Sequence, residues 1–187
     1  MSKSPQGAPS VNLLAVDTAT EGCSAACLAG DKSFERYAVD PQGHSRTLLG
    51  MVEAVLAEAR LERSALDALA YDAGPGSFTG IRIGAGVAQG LALGLEKPLL
   101  AVSSLMTLAE GARREQPDCN SVLAAIDARM DQVYWARLES DPEAPGHWRW
   151  DEMPCVSEPR EVAVHISGCT GVGSGWDRYS DVFMGDR

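Results

Sequence analysis

The sequence has few basic residues and no cluster of them. Its 187 residues include 16 lysines and arginines against 26 aspartates and glutamates, so the formal net charge is −10. A protein that neutralises the phosphates of a nucleic acid needs a basic patch on its surface. We therefore expect that this chain does not hold a nucleic acid by itself, although it could serve a nucleic-acid pathway through a partner.

Cysteine pairs and targeting segments are also missing. The five cysteines are odd in number, form no CxxC pair and stand at positions 23, 27, 119, 155 and 169. This usage predicts reduced thiols that act as small hydrophobic side chains, rather than a disulfide framework or a metal site. Residues 1–10 are polar and lack the apolar segment of a signal peptide, and we predict no membrane-spanning segment. We expect a flexible tail over residues 1–10 and a cytoplasmic protein.

The usual signatures of nucleotide and hydrolytic chemistry are incomplete. The glycine-rich residues 74–80 lack the Gly-Lys-Ser/Thr ending of a P-loop, and their spacing misses the dinucleotide-binding pattern by one residue. A turn followed by a helix cap is the favoured interpretation, although a helix N-terminus can attract an anion. His44 is followed four residues later by Leu48, so no HxxxH metal motif exists. Ser77 does not stand in the GxSxG context of a hydrolase nucleophile.

The chain does contain a glycine-rich apolar segment over residues 78–95. Arg82 is its one charged residue, and glycines occupy positions 80, 84, 86, 90 and 94. An interior glycine costs about 1 kcal/mol relative to alanine, so this composition is expected where another backbone comes close. We predict a helix that is capped by Ser77 or Thr79, is buried nearly all round, and is too short and interrupted to span a membrane. It is either a tightly packed core helix or a packing surface shared with a second protein.

Two segments 110 positions apart indicate an internal duplication. Residues 15–28 and 125–138 align without gaps, and each contains an apolar strand, an aspartate, a polar turn and a second apolar strand. This similarity predicts two related α/β lobes, over residues 11–116 and 117–187. Within the first lobe, residues 43–61 form an amphipathic pattern whose apolar stripe is Leu48, Val52, Val55 and Ala59.

The two aligned aspartates, Asp17 and Asp127, allow two interpretations. In the first, they line a cleft between the lobes together with Thr18, where paired carboxylates can hold a magnesium nucleotide. In the second, each carboxylate caps its own tight turn. Neither aspartate is followed by a glycine-rich phosphate turn, which favours the second interpretation.

Three motifs stand out along the chain: LLAVDTATEGCSAACL, GPGSFTGIRIGAGVAQGLALG and IDARMDQVYWA. Together they resemble the bacterial TsaB (YeaZ) family, from Val11 onward. The resemblance implies an α/β fold of the actin/sugar-kinase-like (ASKHA) kind with two duplicated lobes. Family members usually continue past the point where this chain stops, so we expect an incomplete second lobe.

The resemblance also implies a function and a contact surface. It implies a non-catalytic scaffold subunit for the synthesis of N6-threonylcarbamoyladenosine (t6A) at position 37 of tRNA, which binds the catalytic paralogue TsaD and helps recruit the ATPase TsaE. No cofactor or metal is expected on this subunit, because ATP and magnesium are used by the partner subunits. The first two long helices are expected to contact TsaD, or a second copy when the chain is alone. The residues expected there are Leu48, Val52, Val55, Gly80, Gly84, Val87 and Leu91, and Gly84→Leu is expected to abolish pairing without loss of a soluble fold.

A function of another class stays open. The chain could be an ATP-dependent small-molecule kinase or a peptidase-like hydrolase that uses the cleft between the lobes. The missing HxxxH motif and the missing phosphate turns weigh against both activities. Binding of magnesium-ATP at micromolar concentration would discriminate these enzymes from a scaffold.

Overall fold

The computed structural model describes residues 11–40 and 43–185, which divide into two compact units. The first unit extends to Ala73 and includes Phe78–Ala101, whereas the second contains Gly74–Ser77 and continues from Val102. Each unit has its own sheet and its own buried core. The tail expected over residues 1–10 lies outside the described residues.

The first unit is a five-stranded mixed sheet with two long helices. Its elements are β1 (Asn12–Asp17), β2 (Gly22–Ala29), β3 (Lys32–Val39), α1 (His44–Ala59), β4 (Ala68–Asp72), α2 (Phe78–Leu95) and β5 (Leu99–Val102). The strand order is β3-β2-β1-β4-β5, with antiparallel pairs from β1 to β3 and with β4 parallel to β1. Gly30 has a φ of 60° and forms, with Asp31, the predicted two-residue turn between β2 and β3.

The core of the first unit packs one face of its sheet against α1 and α2. Leu48, Val52 and Val55 of α1 are at most 2% exposed, and their spacing of three or four residues places them on one side of the helix. They pack in one cluster with Leu14 and Val16, two residues of β1 that share a sheet face because strand side chains alternate. The predicted apolar stripe is therefore confirmed as the buried stripe of α1.

The second unit is a four-stranded sheet covered on both faces. Its elements are α3 (Ser104–Glu115), β6 (Ser121–Arg129), β7 (Gln132–Ser140), β8 (Trp148–Ser157), α4 (Pro159–Val162), β9 (Thr170–Val172) and α5 (Ser174–Met184). Val122 and Ala124 of β6 pack with Leu105 of α3, whereas Leu123 packs with Phe183 of α5. Strand β6 is buried on both faces of the sheet, which explains its nearly continuous apolar run.

The predicted duplication is visible in the two sheets. In each sheet, three consecutive antiparallel strands are followed by a strand parallel to the first, β4 beside β1 and β9 beside β6. The lobe boundary predicted after residue 116 differs from the structure. Helix α3 packs on the second sheet rather than the first, so the second unit begins at Val102 and not at residue 117.

Candidate protein-protein interface

Helix α2 has a buried face and an exposed face. The buried face consists of Gly80, Gly84, Ala88 and Ala92, spaced four residues apart. We define the outer face of α2 as its exposed residues, which are Phe78, Thr79, Arg82, Gly86, Gln89, Gly90, Leu93 and Gly94. The prediction that this helix is buried nearly all round is wrong, because its small buried residues contact the core along one narrow side only.

The glycine at position 84 is explained by a contact within the first unit. Thr18, in the turn after β1, is 1% exposed and donates a hydrogen bond from Oγ1 to the Gly80 carbonyl oxygen at 2.7 Å. A Cβ added at position 84 would lie 2.6 Å from Thr18 Oγ1. The turn therefore packs directly on the helix backbone.

The glycines of the outer face have no such explanation within the chain. A Cβ added to Gly86, Gly90 or Gly94 would meet no atom within 4 Å in the part of the chain that the structure describes. Because these positions are four residues apart, they form one stripe along the helix. Glycine costs helix stability at each of them, and this stripe leaves the helix backbone open to close approach by another molecule.

Large side chains flank the glycine stripe and are exposed. Leu93 is 82% exposed and Phe78 is 73% exposed. The Arg82 guanidinium carbon lies 3.4 Å from the centre of the Phe78 ring, and Arg82 also donates a hydrogen bond to the Phe78 carbonyl oxygen at 2.8 Å. Aromatic side chains and arginine are enriched at protein interfaces, and contiguous exposed apolar surface is typical of a binding site. The outer face thus has the composition of a protein-binding surface.

The structure corrects the list of residues predicted to contact a partner. Five of the seven are buried in the first unit and unavailable for direct contact: Leu48, Val52, Val55, Gly80 and Gly84. Val87 and Leu91 are half-buried and pack against the same core. On α1, the exposed neighbours are Leu49, which is 50% exposed, and Gly50, where an added Cβ meets nothing within 4 Å among the described residues.

The predicted contact residues lie on the apolar stripe of each helix, and that stripe normally faces the core of the same chain. The prediction therefore did not include the outer-face residues. A signal for them was present in the sequence. Gly86 and Gly90 lie within about 80° of Arg82 around the helix axis, and a charged side chain marks the side that faces solvent. The glycines beside Arg82 were therefore the ones available to a partner.

Helix α2 is also long and apolar enough to cross a membrane by length and composition, with a mean hydropathy of 1.2 over 18 residues. Its length therefore does not exclude a membrane span, contrary to the prediction. Core helices of soluble proteins satisfy the same criteria, and 22% of this segment is buried within the chain.

Asp17 and Asp127 each cap the turn that follows them. The Asp17 carboxylate accepts a hydrogen bond from the Ala19 N–H at 2.8 Å, and the Asp127 carboxylate accepts one from the Arg129 N–H at 3.0 Å. Burial raises the pKa of the Asp17 carboxyl above its ordinary value, and the Ala19 N–H and nearby His44 partly offset this rise. The two aspartates belong to different units, and in each the geometry is that of the turn-capping interpretation.

The Asp127 carboxylate is further engaged by cationic side chains of its own unit. The guanidinium groups of Arg129 and Arg178 each lie 3.3 Å from Asp127 Oδ2, and the Tyr179 hydroxyl donates to Oδ1 at 3.4 Å. Among the described residues, no three His, Cys, Asp or Glu side chains lie close enough together to hold a metal ion.

Comparison with known proteins defines the class of this protein. The family model described as "TsaD: tRNA N6-adenosine threonylcarbamoyltransferase" matches residues 39–144. With the duplicated sheets described above, this match identifies an α/β protein of the ASKHA fold, as predicted.

Individual relatives identify the family within that class. The "tRNA threonylcarbamoyladenosine biosynthesis protein TsaB" of Escherichia coli K12 is 43% identical over 176 residues, covering 92% of this chain and 75% of that protein. The TsaB protein of Haemophilus influenzae is 38% identical, covering 91% of this chain and 75% of its own. The solved structure of YeaZ from Pseudomonas aeruginosa matches with a TM-score of 0.84 at 44% identity, covering 95% of this chain and 81% of that one. The chain belongs to the TsaB (YeaZ) family, and the resemblance seen in the sequence is confirmed.

Proposed function

We propose that this chain is a non-catalytic scaffold subunit required for t6A synthesis at position 37 of tRNA. The observation that carries the proposal is family membership, since the E. coli relative named for threonylcarbamoyladenosine biosynthesis is 43% identical over 92% of the chain. The chain binds and stabilises the catalytic paralogue TsaD and helps recruit the ATPase TsaE. It acts in the cytoplasm away from the membrane, and it contacts tRNA only indirectly, through its partners.

In this proposal, ATP and magnesium are bound by the partner subunits and not by this chain. The Asp127 carboxylate supports this division, because its lone pairs are already engaged by Arg129, Arg178 and the turn N–H. A magnesium nucleotide would have to displace these partners. Asp17 is likewise used to cap its own turn.

The proposed pairing surface is the outer face of α2, with the adjacent exposed residues of α1. Its support is the combination of an open glycine stripe with exposed Phe78 and Leu93. Apolar surface of this kind gains free energy when a partner removes it from water. Because the same surface pairs two copies of the chain when it is alone, the homodimer and the TsaD heterodimer exclude each other.

The test is size-exclusion chromatography with light scattering on the chain alone and after mixing with TsaD from its own host. We expect a homodimer that gives way to a heterodimer as TsaD is added. A chain that stays monomeric and elutes independently of TsaD would contradict the proposed function.

A matched pair of variants locates the surface. Gly90 on the outer face and Gly111 on α3 are both exposed, and an added Cβ at either meets nothing within 4 Å in the described chain. We expect Gly90→Leu to weaken pairing by at least about 30-fold, which corresponds to roughly 2 kcal/mol, while Gly111→Leu leaves pairing unchanged. Gly84→Leu is not a clean test, because its side chain would collide with Thr18 in the same chain.

A further inference from the structure

We propose that Thr18 is a positioning residue that sets the placement of α2, and through it the outer face that binds the partner. The inference rests on the proposed function, since it takes the outer face as the pairing surface. It assigns a role to a residue that was predicted to line a nucleotide cleft.

Thr18 is anchored independently of α2. It follows Asp17, the last residue of β1, which is paired with Ser24 of β2. The carboxylate of Asp17 accepts a hydrogen bond from the Ala19 N–H at 2.8 Å, and this bond joins the two residues that flank Thr18. Thr18 therefore presents its hydroxyl from a position fixed by the sheet.

The contact between Thr18 and α2 is both attractive and close. The hydroxyl donates to the Gly80 carbonyl oxygen at 2.7 Å and is buried from water, where an unsatisfied carbonyl or hydroxyl group is costly. The missing side chain at position 84 allows the approach, since an added Cβ would lie 2.6 Å from Thr18 Oγ1 but 3.9 Å from Thr18 Cβ. The hydroxyl oxygen is therefore the atom that would collide.

The contact between Thr18 and α2 also affects the outer face of the helix. A helix is stiff along its axis, so a shift forced on its buried face at positions 80 and 84 moves Phe78, Arg82 and Gly86 on the opposite side by a similar amount. Interfaces built on close backbone approach do not tolerate such shifts, because contact energy falls steeply over a fraction of an ångström. The hydroxyl of Thr18 thus sets the position of the outer face, although it makes no contact with that face.

These distances make Thr18 and Gly84 a pair for a double-mutant cycle. Gly84→Ala in the wild-type background is expected to weaken pairing at least tenfold, because the new methyl group meets the Thr18 hydroxyl. In the Thr18→Ala background the same change is expected to alter pairing less than threefold, since the methyl group then faces a Cβ at ordinary contact distance. Thr18→Ser keeps the hydroxyl, so it alone should pair normally and should not rescue Gly84→Ala.

Hydrogen exchange of the chain alone provides a readout that does not depend on a partner. Gly84→Ala is expected to speed amide exchange over residues 80–88 in the wild-type background but not in the Thr18→Ala background. If Gly84→Ala weakens pairing equally in all three backgrounds, or if exchange changes while pairing does not, the inference is overturned. If the wild-type chain does not pair at all, the proposed function fails, and the exchange cycle alone then decides whether Thr18 positions α2.

Discussion

Adjacent leucines on α1 provide the sharpest test of which helix faces are available to a partner. Leu48 is 0% exposed and belongs to the core of the first unit, whereas Leu49 is 50% exposed. Truncating a buried leucine to alanine costs about 2–5 kcal/mol, and each kcal/mol lowers the Tm by about 2–4 °C when a chain of 187 residues unfolds as one cooperative unit. We therefore expect Leu48→Ala to lower the Tm by about 4–20 °C, while Leu49→Ala stays within about 0.5 kcal/mol of wild type.

In the pairing assay we expect the opposite order, with the larger loss for Leu49→Ala. At a temperature where Leu48→Ala is still folded by circular dichroism, light scattering should show normal pairing with TsaD. Leu49→Ala should weaken pairing, because its side chain lies on the exposed surface of α1. A Leu48→Ala variant with unchanged Tm but lost pairing would refute the assignment of Leu48 to the core, and with it the exposed-face interface.

Two predictions concern the aspartates. Burial raises the folded-state pKa of Asp17. The contribution of Asp17 to stability is therefore present below the unfolded pKa and is lost as the pH rises through the folded pKa. The amide oxygen of Asp17→Asn can still accept the Ala19 N–H, so this variant should flatten that part of the stability–pH curve without lowering the Tm at pH 7. A wild-type-like fall in stability over the same pH range in Asp17→Asn would contradict this assignment. Isothermal titration of the chain with magnesium-ATP should show no micromolar binding, since the Asp127 carboxylate is engaged by Arg129 and Arg178. Micromolar binding that Asp127→Ala removes would instead support a nucleotide site.

Much of the fold could be predicted because its signals are local. The Gly30-Asp31 turn, the period of α1 and the repeated strand–aspartate–hairpin units each depend on residues a few positions apart, and the structure contains all three. The lobe boundary could not be predicted in the same way. Helix α3 follows β5 with no long linker, and the sheet that it covers is chosen by packing against β6, which comes later in the chain.

Helical periodicity alone does not distinguish an apolar stripe that faces the core from one that faces a partner. The stripe of Leu48, Val52 and Val55 is apolar and lies on one side of α1, as predicted, but an apolar stripe can face a core and a partner equally well. Burial in the folded chain decides between them, and it assigns these three residues to the core. Only the surface that is not buried in the core is available to a partner.

The glycines of α2 show the same limit of helical periodicity, here as an angle around the helix axis. Positions 84 and 86 differ by two residues, or about 200° around a helix at 100° per residue, so they face opposite sides. The sequence therefore already separates a set at 80 and 84 from a set at 86, 90 and 94, but it cannot say which set faces the chain itself. That choice depends on Thr18, which is 62 residues before Gly80 in the chain and hydrogen-bonded to it in the fold. Thr18 accounts for the first set, and the pairing surface that we propose accounts for the second set, where each glycine lowers the stability of the helix.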